Sequence, residues 1–387
     1  MNAGWWIGAL RASEGRALLE QLAHESLAPA DELRLVTRLR RDYAPELVAA
    51  AVTQARLRVR ARSKFAHADA MLFTTSGLEQ ASSERMAALH AVRYSRFDLV
   101  ADLCSGVGGD LIGLAQGRAA IGVDRDPVHA RLAALNAEAC GVGDSVSMVT
   151  ADVESVRLDG VPAAFVDPAR RSADRRYRVG TSDPSLNWCV ALAARGVALG
   201  IKAAPGLPTE LVPNGWELEF VSEHRELKES LLWSPALATV GRRATLLPEA
   251  LTLVQGADVH LPVQAPGMFL LDPDPAVTRA GAVEDLGALL GEVWKIDDEI
   301  AFLSADFELL TPFGRTLRIE ASMPWNLARL RECLRALDVG TVDIRKRGSA
   351  VDVDEIQKKL KLTGSRAATV VLTRAAGSPW MMVCSPP

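Results

Sequence analysis

The segment that most constrains the fold of this chain lies at residues 100–115 and reads VADLCSGVGGDLIGLA. Its first part is apolar except for Asp102. The loop that follows contains Gly106, Gly108 and Gly109, after which helix-forming residues resume. A strand, a glycine loop and a helix in this order are typical of the first unit of a doubly wound α/β sheet, in which ligands bind beyond the carboxyl ends of the strands. The segment therefore predicts a ligand-binding loop.

The residues after this loop continue to alternate between strands and helices. Strand patterns such as AAIGVD, VSMVTAD, AAFVDPAR and VALGIKAAPG are separated by the helical patterns DPVHARLAALNAEACG and SLNWCVALAARG. This alternation predicts a parallel sheet covered by helices on both faces, which is the Rossmann-like α/β fold class. Two later segments, WELEFVSEHRELKESLLW and TVGRRATLL, are predicted to be antiparallel strands that complete the sheet.

The flanking regions have different compositions, and together they predict four domains. Residues 1–95 are rich in helix formers and have no glycine between Gly15 and Gly77, which predicts a helical domain. The Rossmann-like domain then occupies residues 96–250. Residues 251–315 are rich in proline, glycine and short apolar runs, which predicts a small β-rich module or connector. Residues 316–387 predict a compact α+β domain.

Charge and cysteine content bound the class of protein. The net charge of −4 excludes a chain that binds polyanions through bulk charge alone. Its arginines and lysines nevertheless cluster locally, and such clusters can attract an acidic partner. The five cysteines are scattered without a CxxC pair, so neither a disulfide framework nor a metal site is expected, and a reducing cytoplasm is the natural location. No apolar run reaches membrane-spanning length, and no signal peptide is expected. The basic clusters comprise Arg56, Arg58, Arg60, Arg62 and Lys64; Arg170, Arg171, Arg175, Arg176 and Arg178; and Arg345, Lys346 and Arg347.

The glycine loop does not match the patterns of phosphate-binding loops. A P-loop needs a Lys-Ser/Thr pair after its last glycine, where this chain has Asp110. A dinucleotide fingerprint needs G-x-G-x-x-G, and acids at Asp102 and Asp110 would repel a pyrophosphate. The acids instead suit a ligand that carries positive charge and no phosphate, and the glycines let the backbone approach it closely.

The segment DLCSGVGGD resembles motif I of class I S-adenosylmethionine-dependent methyltransferases, whose cofactor carries an ammonium and a sulfonium cation. The matches continue along the chain in the family's order. The resemblance implies that Asp124 binds the ribose hydroxyls, that Asp152 contacts the adenine, and that FVDPAR at residues 165–170 is motif IV. It implies S-adenosyl-L-methionine as cofactor and no metal, with the cofactor held by Asp102, Cys104, Gly106, Gly108, Gly109, Asp110, Asp124, Arg125, Asp152, Val153 and Asp167.

Motif IV lies beside the transferred methyl group, so Asp167, Pro168 and Arg170 are candidate catalytic residues. Lys202 is a fourth candidate, because it ends the next strand and faces the same edge if the sheet is parallel. Asp167 and Pro168 match the first half of the Asp-Pro-Pro-aromatic pattern of amino-methylating enzymes, whereas Ala169 and Arg170 depart from it. DPAR is also similar to the DPxR of RNA uridine-C5 methyltransferases, but no cysteine lies in the nucleophile motif that those enzymes need. Direct transfer to a nitrogen or oxygen is therefore expected.

Several of these residues also have structural explanations that the sequence leaves open. Asp167 followed by proline is a good helix cap. Arg170 could be a solvated loop charge, and Lys202 could form a surface salt bridge. Glu79 and Gln80, before motif I, could contact the cofactor or could be ordinary first-turn helix residues.

Two further resemblances concern the flanking segments. The segment TTSGLEQASSERMAALHAVRY before motif I is similar to that of trimethylguanosine-synthase-like methyltransferases, which act on RNA caps. Their motif IV is aromatic, unlike DPAR, so this resemblance does not carry their substrate over. The C-terminal residues resemble a THUMP-like domain, and THUMP domains proper help to bind RNA. An RNA methyltransferase is therefore expected. The alternatives are a methyltransferase of small molecules or proteins, and an RNA-binding protein with a vestigial cofactor pocket; the oligomeric state is left open.

Overall fold

The structure is a computed structural model that describes residues 4–170, 182–256 and 258–386. Its chain divides into two compact units. The first comprises Met1–Trp216 and Leu231–Thr239, and the second comprises Glu217–Ser230 and Val240–Pro387. The predicted helical and Rossmann-like regions thus lie mostly in the first unit. The four predicted domain limits stay a prediction.

The first unit begins with helices, as the composition of its first 95 residues predicts. Side-chain caps fix the start of several of them: Thr74 accepts a hydrogen bond from Gly77 N, and Asp126 accepts one from Val128 N. Short 3₁₀ turns occupy Gly143–Ser145 and Thr209–Leu211. The helices are α1 (Trp5–Arg11), α2 (Ser13–Leu22), α3 (Glu32–Leu39), α4 (Pro45–Ala61), α5 (Thr75–Gln80), α6 (Glu84–Val92), α7 (Gly109–Leu114), α8 (Pro127–Ala139) and α9 (Leu186–Ala194).

The strands of the first unit form the parallel sheet that the alternating pattern predicts. Pairing runs in the order β7-β4-β1-β2-β3, and all four adjacent pairs among these five strands are parallel. Their carboxyl ends therefore share one edge of the sheet. The strands are β1 (Leu99–Leu103), β2 (Ala119–Asp124), β3 (Val146–Thr150), β4 (Ala163–Val166), β5 (Ala169–Arg170), β6 (Ser182–Asp183) and β7 (Ala198–Ala203), where β5 and β6 form a separate two-stranded ladder.

One apolar core joins the helical segment to the sheet within the first unit. It contains buried leucines of α1 and α2, Phe65 and Phe73 between α4 and α5, and Leu111 and Leu132 on α7 and α8. Because these side chains pack in a single cluster, residues 4–95 and the first strands are held together by hydrophobic burial, which supplies most of the driving force of folding.

The second unit contains the remaining elements, and strands β12 to β18 form a seven-stranded sheet of order β13-β14-β12-β15-β18-β17-β16. Among its described residues, apolar side chains pack in a cluster around Leu330 and Val370 and in another around Leu270 and Phe302. The elements are β8 (Glu217–Glu223), β9 (Glu226–Trp233, which ends in the first unit), β10 (Arg242–Leu247), β11 (Leu251–Gln255), β12 (Phe269–Pro273), α10 (Pro275–Ala280), α11 (Val283–Leu290), β13 (Trp294–Lys295), β14 (Leu303–Ala305), β15 (Gly314–Pro324), α12 (Leu327–Ala336), β16 (Val339–Lys346), α13 (Val353–Leu360), β17 (Arg366–Ala375) and β18 (Ser378–Ser385).

The predicted antiparallel pairing at residues 216–247 is wrong in two respects. The first segment is two strands, β8 and β9, joined at His224 and Arg225, which both have left-handed backbone angles of φ 52° and 61°. Two such residues make the tight turn that matches the twist of a hairpin. Strand β10 then pairs with β8 in the parallel direction, because the connection after β9 returns the chain to the other side of β8.

The structure has no helix, among the residues it describes, that is both long and apolar enough to span a bilayer.

Candidate functional site

The candidate site lies where the parallel strands of the first unit end. The loop after β1 turns sharply because Cys104, Gly106 and Gly108 all have positive φ, at 69°, 55° and 92°. A β-carbon on Gly106 would meet nothing within 4 Å, so the loop borders open space there. At Gly108 it would lie 3.1 Å from Ala133 Cα, so this glycine is needed for close packing on α8.

Asp124, at the end of β2, ties this loop to the neighbouring strand. Its Oδ2 accepts a hydrogen bond from Gly106 N at 2.8 Å, and its Oδ1 accepts one from Asp126 N at 2.8 Å. Both carboxylate oxygens keep further lone pairs. The structure thus brings Asp124 and the glycine loop together, as the predicted cofactor site requires.

Asp102 is the least satisfied polar side chain of the site. It is 1% exposed, and neither carboxylate oxygen has a hydrogen-bond partner among the described residues. Burial, followed by the charges of Asp110 and Asp167, raises the pKa of Asp102 well above its usual value. A buried carboxylate without a partner is costly. The orphaned oxygens and the open space at Gly106 fit a ligand with a cationic group, such as the ammonium of S-adenosylmethionine.

Asp110, the first acid of α7, has both carboxylate oxygens engaged within the protein. Ser82 Oγ donates to Oδ2 at 2.8 Å, and His90 Nδ1 lies 2.7 Å from Oδ1. Burial favours the neutral form of Asp110, but the adjacent imidazole, with Lys202 and Ser82, outweighs burial and keeps the pKa of Asp110 below its usual value. Asp110 is therefore held as an ionised carboxylate.

Asp167 and Lys202 form an ion pair at the ends of the adjacent strands β4 and β7. Lys202 Nζ donates to Asp167 Oδ2 at 2.8 Å and to Ser82 Oγ at 3.1 Å. The Lys202 side chain is 17% exposed and the Asp167 side chain is 31% exposed, so solvent reaches part of the ion pair. Ser82 is a site residue that the sequence analysis missed; only the position of its segment before motif I pointed to this region.

The remaining predicted cofactor residues lie at the ends of β2 and β3. Arg125 Nη1 donates to Asp183 Oδ2 at 2.9 Å, and that bond raises the pKa of the guanidinium. Asp152 Oδ1 accepts from Glu154 N at 2.9 Å in the turn after β3, and Val153 beside it is buried. The structure places these three at the sheet edge that also carries Asp124.

The other predicted catalytic residues follow Asp167. Pro168 precedes β5, and the backbone of Arg170 pairs with that of Ser182. Four arginines of the second basic cluster lie outside the described residues: Arg171, Arg175, Arg176 and Arg178.

The segment before motif I packs directly on the glycine loop. A β-carbon on Gly77 would lie 2.4 Å from Val107 Cγ1, so only glycine permits this approach. Lys64 Nζ donates to the carbonyls of Leu78 and Ala81 at 2.9 and 2.7 Å and so fixes the end of α5. Glu79 instead pairs with Arg60 at 3.2 Å, with its side chain more than half exposed.

A cavity of about 960 Å³ lies elsewhere in the first unit, among α1, α2, α4 and α8. Leucines, Asn136 and Arg58 line it, and none of the candidate site residues does. Asn136 Oδ1 accepts a hydrogen bond from Leu72 N, and its Nδ2 donates to the carbonyls of Leu72 and Val107. The cavity is therefore separate from the strand-end site.

This chain is similar to known proteins both in sequence and in fold. An uncharacterised S-adenosylmethionine-dependent methyltransferase of Mycobacterium tuberculosis, found in strains CDC 1551 and H37Rv, is 36% identical over 316 residues, which cover 79% of this chain and 86% of the relative. The crystal structure of a putative methyltransferase from Porphyromonas gingivalis W83 has a TM-score of 0.75 at 21% identity and covers 95% of this chain and 96% of its own.

Three family models match separate parts of the chain. Residues 97–185 match the RNA cap guanine-N2 methyltransferase family, residues 314–386 match the THUMP domain-like family, and residues 7–61 match a domain of unknown function. The chain belongs to the family of S-adenosylmethionine-dependent methyltransferases. Within it, this is a class I enzyme that uses S-adenosylmethionine and has a THUMP-like domain near its C-terminus, which confirms the predicted class, cofactor and fold.

Proposed function

We propose that this methyltransferase acts on RNA by direct methyl transfer, with Asp167 and Lys202 at the acceptor. The observation that carries the proposal is the Asp167–Lys202 pair at 2.8 Å, beside the orphaned Asp102 carboxylate. Asp102 and Asp167 lie in the segment, residues 97–185, that matches RNA cap guanine-N2 methyltransferases. The match of residues 314–386 to THUMP-like domains adds support for RNA as the substrate.

The cofactor is held, in this proposal, by the acids and glycines at the strand ends. Asp102 binds its ammonium, Asp124 and Gly106 lie at its ribose, and Asp152 and Val153 lie at its adenine. The loop conformation depends on Cys104, Gly108, Gly109 and Asp110. Arg125 borders the site beside Asp124, where it donates to Asp183. When bound, S-adenosylmethionine supplies an electrophilic methyl group on a sulfonium sulfur.

Asp167 and Lys202 act on the acceptor. Asp167 accepts a hydrogen bond from the acceptor's N–H or O–H and takes the proton that this group loses on methylation. Lys202 keeps Asp167 ionised and oriented until then. Pro168 fixes the backbone beside Asp167, and Arg170 binds a phosphate or stacks on a base. Catalysis then comes mainly from positioning the two reactants.

A covalent route through cysteine is disfavoured by the state of the thiols. All five cysteines lie in the described residues, and burial raises the pKa of each; for Cys140, Cys189 and Cys384 it reaches about 11, about 12 and about 12. A thiol rather than a thiolate is a poor nucleophile. This supports direct transfer to a nitrogen or oxygen over the uridine-C5 type of reaction.

The basic cluster on α4 lends little support to RNA binding. Arg56, Arg60 and Arg62 pair with Glu32, Glu79 and Asp69. Arg58 Nε donates to Met71 O at 3.0 Å. These charges are largely neutralised within the protein, so the proposed RNA contacts lie at the strand ends and in the THUMP-like region.

The test compares nucleosides from a strain lacking the gene with those from the wild type by mass spectrometry. Loss of one methylated nucleoside, restored by the wild-type gene and not by Asp167→Ala, supports the proposal. The purified protein should then transfer a labelled methyl group to RNA from the deletion strain. Transfer only to protein or small-molecule fractions would identify the alternative substrate class. Calorimetry that detects no cofactor binding would contradict catalysis altogether.

A further inference from the structure

We infer that Ser82 is a positioning residue that holds the ammonium group of Lys202 against Asp167, and that the buried pair His90–Asp110 anchors Ser82 in this role. The inference rests on the proposed function, in which Asp167 and Lys202 contact the acceptor. It adds to that site a segment that precedes the glycine loop in the chain.

The direction of the hydrogen bonds at Ser82 follows from its two partners. A hydroxyl has one hydrogen and two lone pairs, a carboxylate only accepts, and an ammonium only donates. Ser82 Oγ lies 2.8 Å from Asp110 Oδ2 and 3.1 Å from Lys202 Nζ. Ser82 therefore donates to Asp110 and accepts from Lys202, so that one hydroxyl links the anionic anchor to the ammonium.

The anchor itself is rigid. His90 is fully buried, its Nδ1 lies 2.7 Å from Asp110 Oδ1, and its ring stacks on Phe165 with 4.6 Å between ring centres. Because a carboxylate only accepts, Nδ1 carries the proton of this bond. Phe165 is on β4, two residues before Asp167. The imidazole thus packs on the strand that presents the acid it helps to position.

The backbone of Ser82 has little freedom to move. A β-carbon on Gly109 would lie 3.0 Å from Ser82 O and 3.2 Å from Ser82 N, so the start of α7 touches this backbone. Just upstream, the Lys64 ammonium holds the carbonyls of Leu78 and Ala81. The backbone of Ser82 is thus held in place, and the hydrogen bonds to Asp110 and from Lys202 orient its hydroxyl.

The charges around Lys202 come from several elements, and Ser82 is the neutral member among them. Asp167 contacts the ammonium directly, and the charge of Asp110 acts on it through space. His90 offsets Asp110, and Asp102 is a further buried acid that feels both Asp110 and Asp167. Replacing Ser82 therefore removes a hydrogen bond from Lys202 and leaves every charge in place.

The test measures the titration of Lys202 in the full-length protein without cofactor or acceptor. Competitive acylation with limiting acetic anhydride at a series of pH values, followed by tryptic digestion and mass spectrometry, gives the apparent pKa. Lys202 is the only lysine in the peptide from Gly196 to Arg225, so its signal is resolved. Ser82→Ala is compared with wild type and with Ser83→Ala, a control that removes the neighbouring hydroxyl, which caps α6 at Met86 N.

We expect the pKa of Lys202 to fall by about one unit in Ser82→Ala, because a hydrogen bond to the ammonium favours its charged form. Ser82→Cys, which keeps the volume but is a weak acceptor, should give a similar shift. Ser83→Ala should destabilise the protein and leave the Lys202 titration unchanged. The inference is overturned if both Ser82 variants titrate like wild type, or if Ser83→Ala shifts Lys202 equally.

This outcome is separate from that of the proposed function, because no acceptor is present. A shift in Lys202 without any methyl transfer to RNA would keep the positioning role and reject the substrate. Methyl transfer to RNA with an unchanged Lys202 titration in the Ser82 variants would keep RNA as the substrate and reject the positioning role of Ser82.

Discussion

Asp102 in the first unit and Asp272 in the second are both buried acids, yet their surroundings are opposite. Asp102 lies among acids, and its oxygens have no hydrogen-bond partner among the described residues. Asp272, on β12, lies within 3.1–3.2 Å of three guanidinium groups, those of Arg225, Arg345 and Arg347. Within the described residues, the Asp102 carboxyl therefore has no cationic partner in contact, whereas the Asp272 carboxylate is neutralised by arginines of its own unit.

From this contrast we expect that Asp102 belongs to a ligand site and that Asp272 stabilises the fold. Leaving a buried carboxylate without a partner lowers stability, and a fold tolerates that cost where a ligand supplies the missing charge. Asp272 already has arginine partners, and those arginines have less charge available to bind another anion. The basic cluster at Arg345 and Arg347 is therefore better explained by Asp272 than by RNA.

The largest expected effect concerns cofactor affinity. Asp102→Asn should weaken S-adenosylmethionine binding by about 100-fold or more, because the ammonium loses a buried anionic partner. Isothermal titration calorimetry measures this change, with Asp98→Asn, at the exposed residue just before the same strand, as the control. Unchanged affinity would mean that Asp102 is not the ammonium site.

Removing the acid of the second region should instead lower stability. Asp272→Asn leaves three half-buried guanidinium groups close together without their carboxylate, and we expect the free energy of unfolding to fall by about 2 kcal/mol. Urea denaturation measures this, while cofactor affinity should stay at the wild-type value. A loss of affinity without loss of stability would reverse the roles assigned to the two acids.

The pH dependence of stability gives a smaller effect with a definite sign. The pKa of Asp102 is raised in the folded state, so its ionisation destabilises the protein, fully so above the folded pKa and not at all below the ordinary value of 3.8. Without cofactor, Asp102→Asn should therefore be more stable than wild type by about 1 kcal/mol at high pH. That advantage should shrink as pH falls towards 3.8. Denaturation curves at several pH values test this, and an advantage that grows with acidity would contradict it.

The smallest effect concerns RNA binding. Arg345→Gln should change the affinity for bulk tRNA by less than about twofold at fixed salt, because this guanidinium is already engaged by Asp272 and Asp343. Filter binding at two salt concentrations measures both the affinity and its salt dependence. A clear drop in the salt dependence would show that Arg345 contacts phosphate after all.

Local patterns predicted the parts of this fold that depend on short-range order. Alternating strands and helices predicted the parallel sheet, and the structure confirms it. The glycines with Asp102 and Asp124 predicted a ligand-binding edge, where the structure brings Gly106 and Asp124 together. The segment QARLRVRARSKF, residues 54–65, alternates like a strand over residues 56–62, whereas its alanine-rich flanks favour a helix, and it forms helix α4 up to Ala61. These features depend on residues close in sequence, where periodicity and turn chemistry are informative.

Long-range pairings were not readable in the same way. Ser82 and Lys202 are 120 residues apart, and Asp272 meets arginines 47, 73 and 75 positions away. The parallel pairing of β10 with β8 likewise depends on which side of a hairpin the chain returns to. A single sequence contains no local signal for such contacts, because tertiary packing decides them.

Two contacts described above determine where a catalytic fragment of this enzyme can begin. Gly77 packs against Val107, and Lys64 donates hydrogen bonds to carbonyls at the end of α5. The match to known methyltransferases begins at residue 97, but part of the cofactor loop's support comes from residues 64–82. An excised catalytic fragment should therefore begin upstream of Lys64, because one cut at residue 97 would lose the residues that pack on the glycine loop.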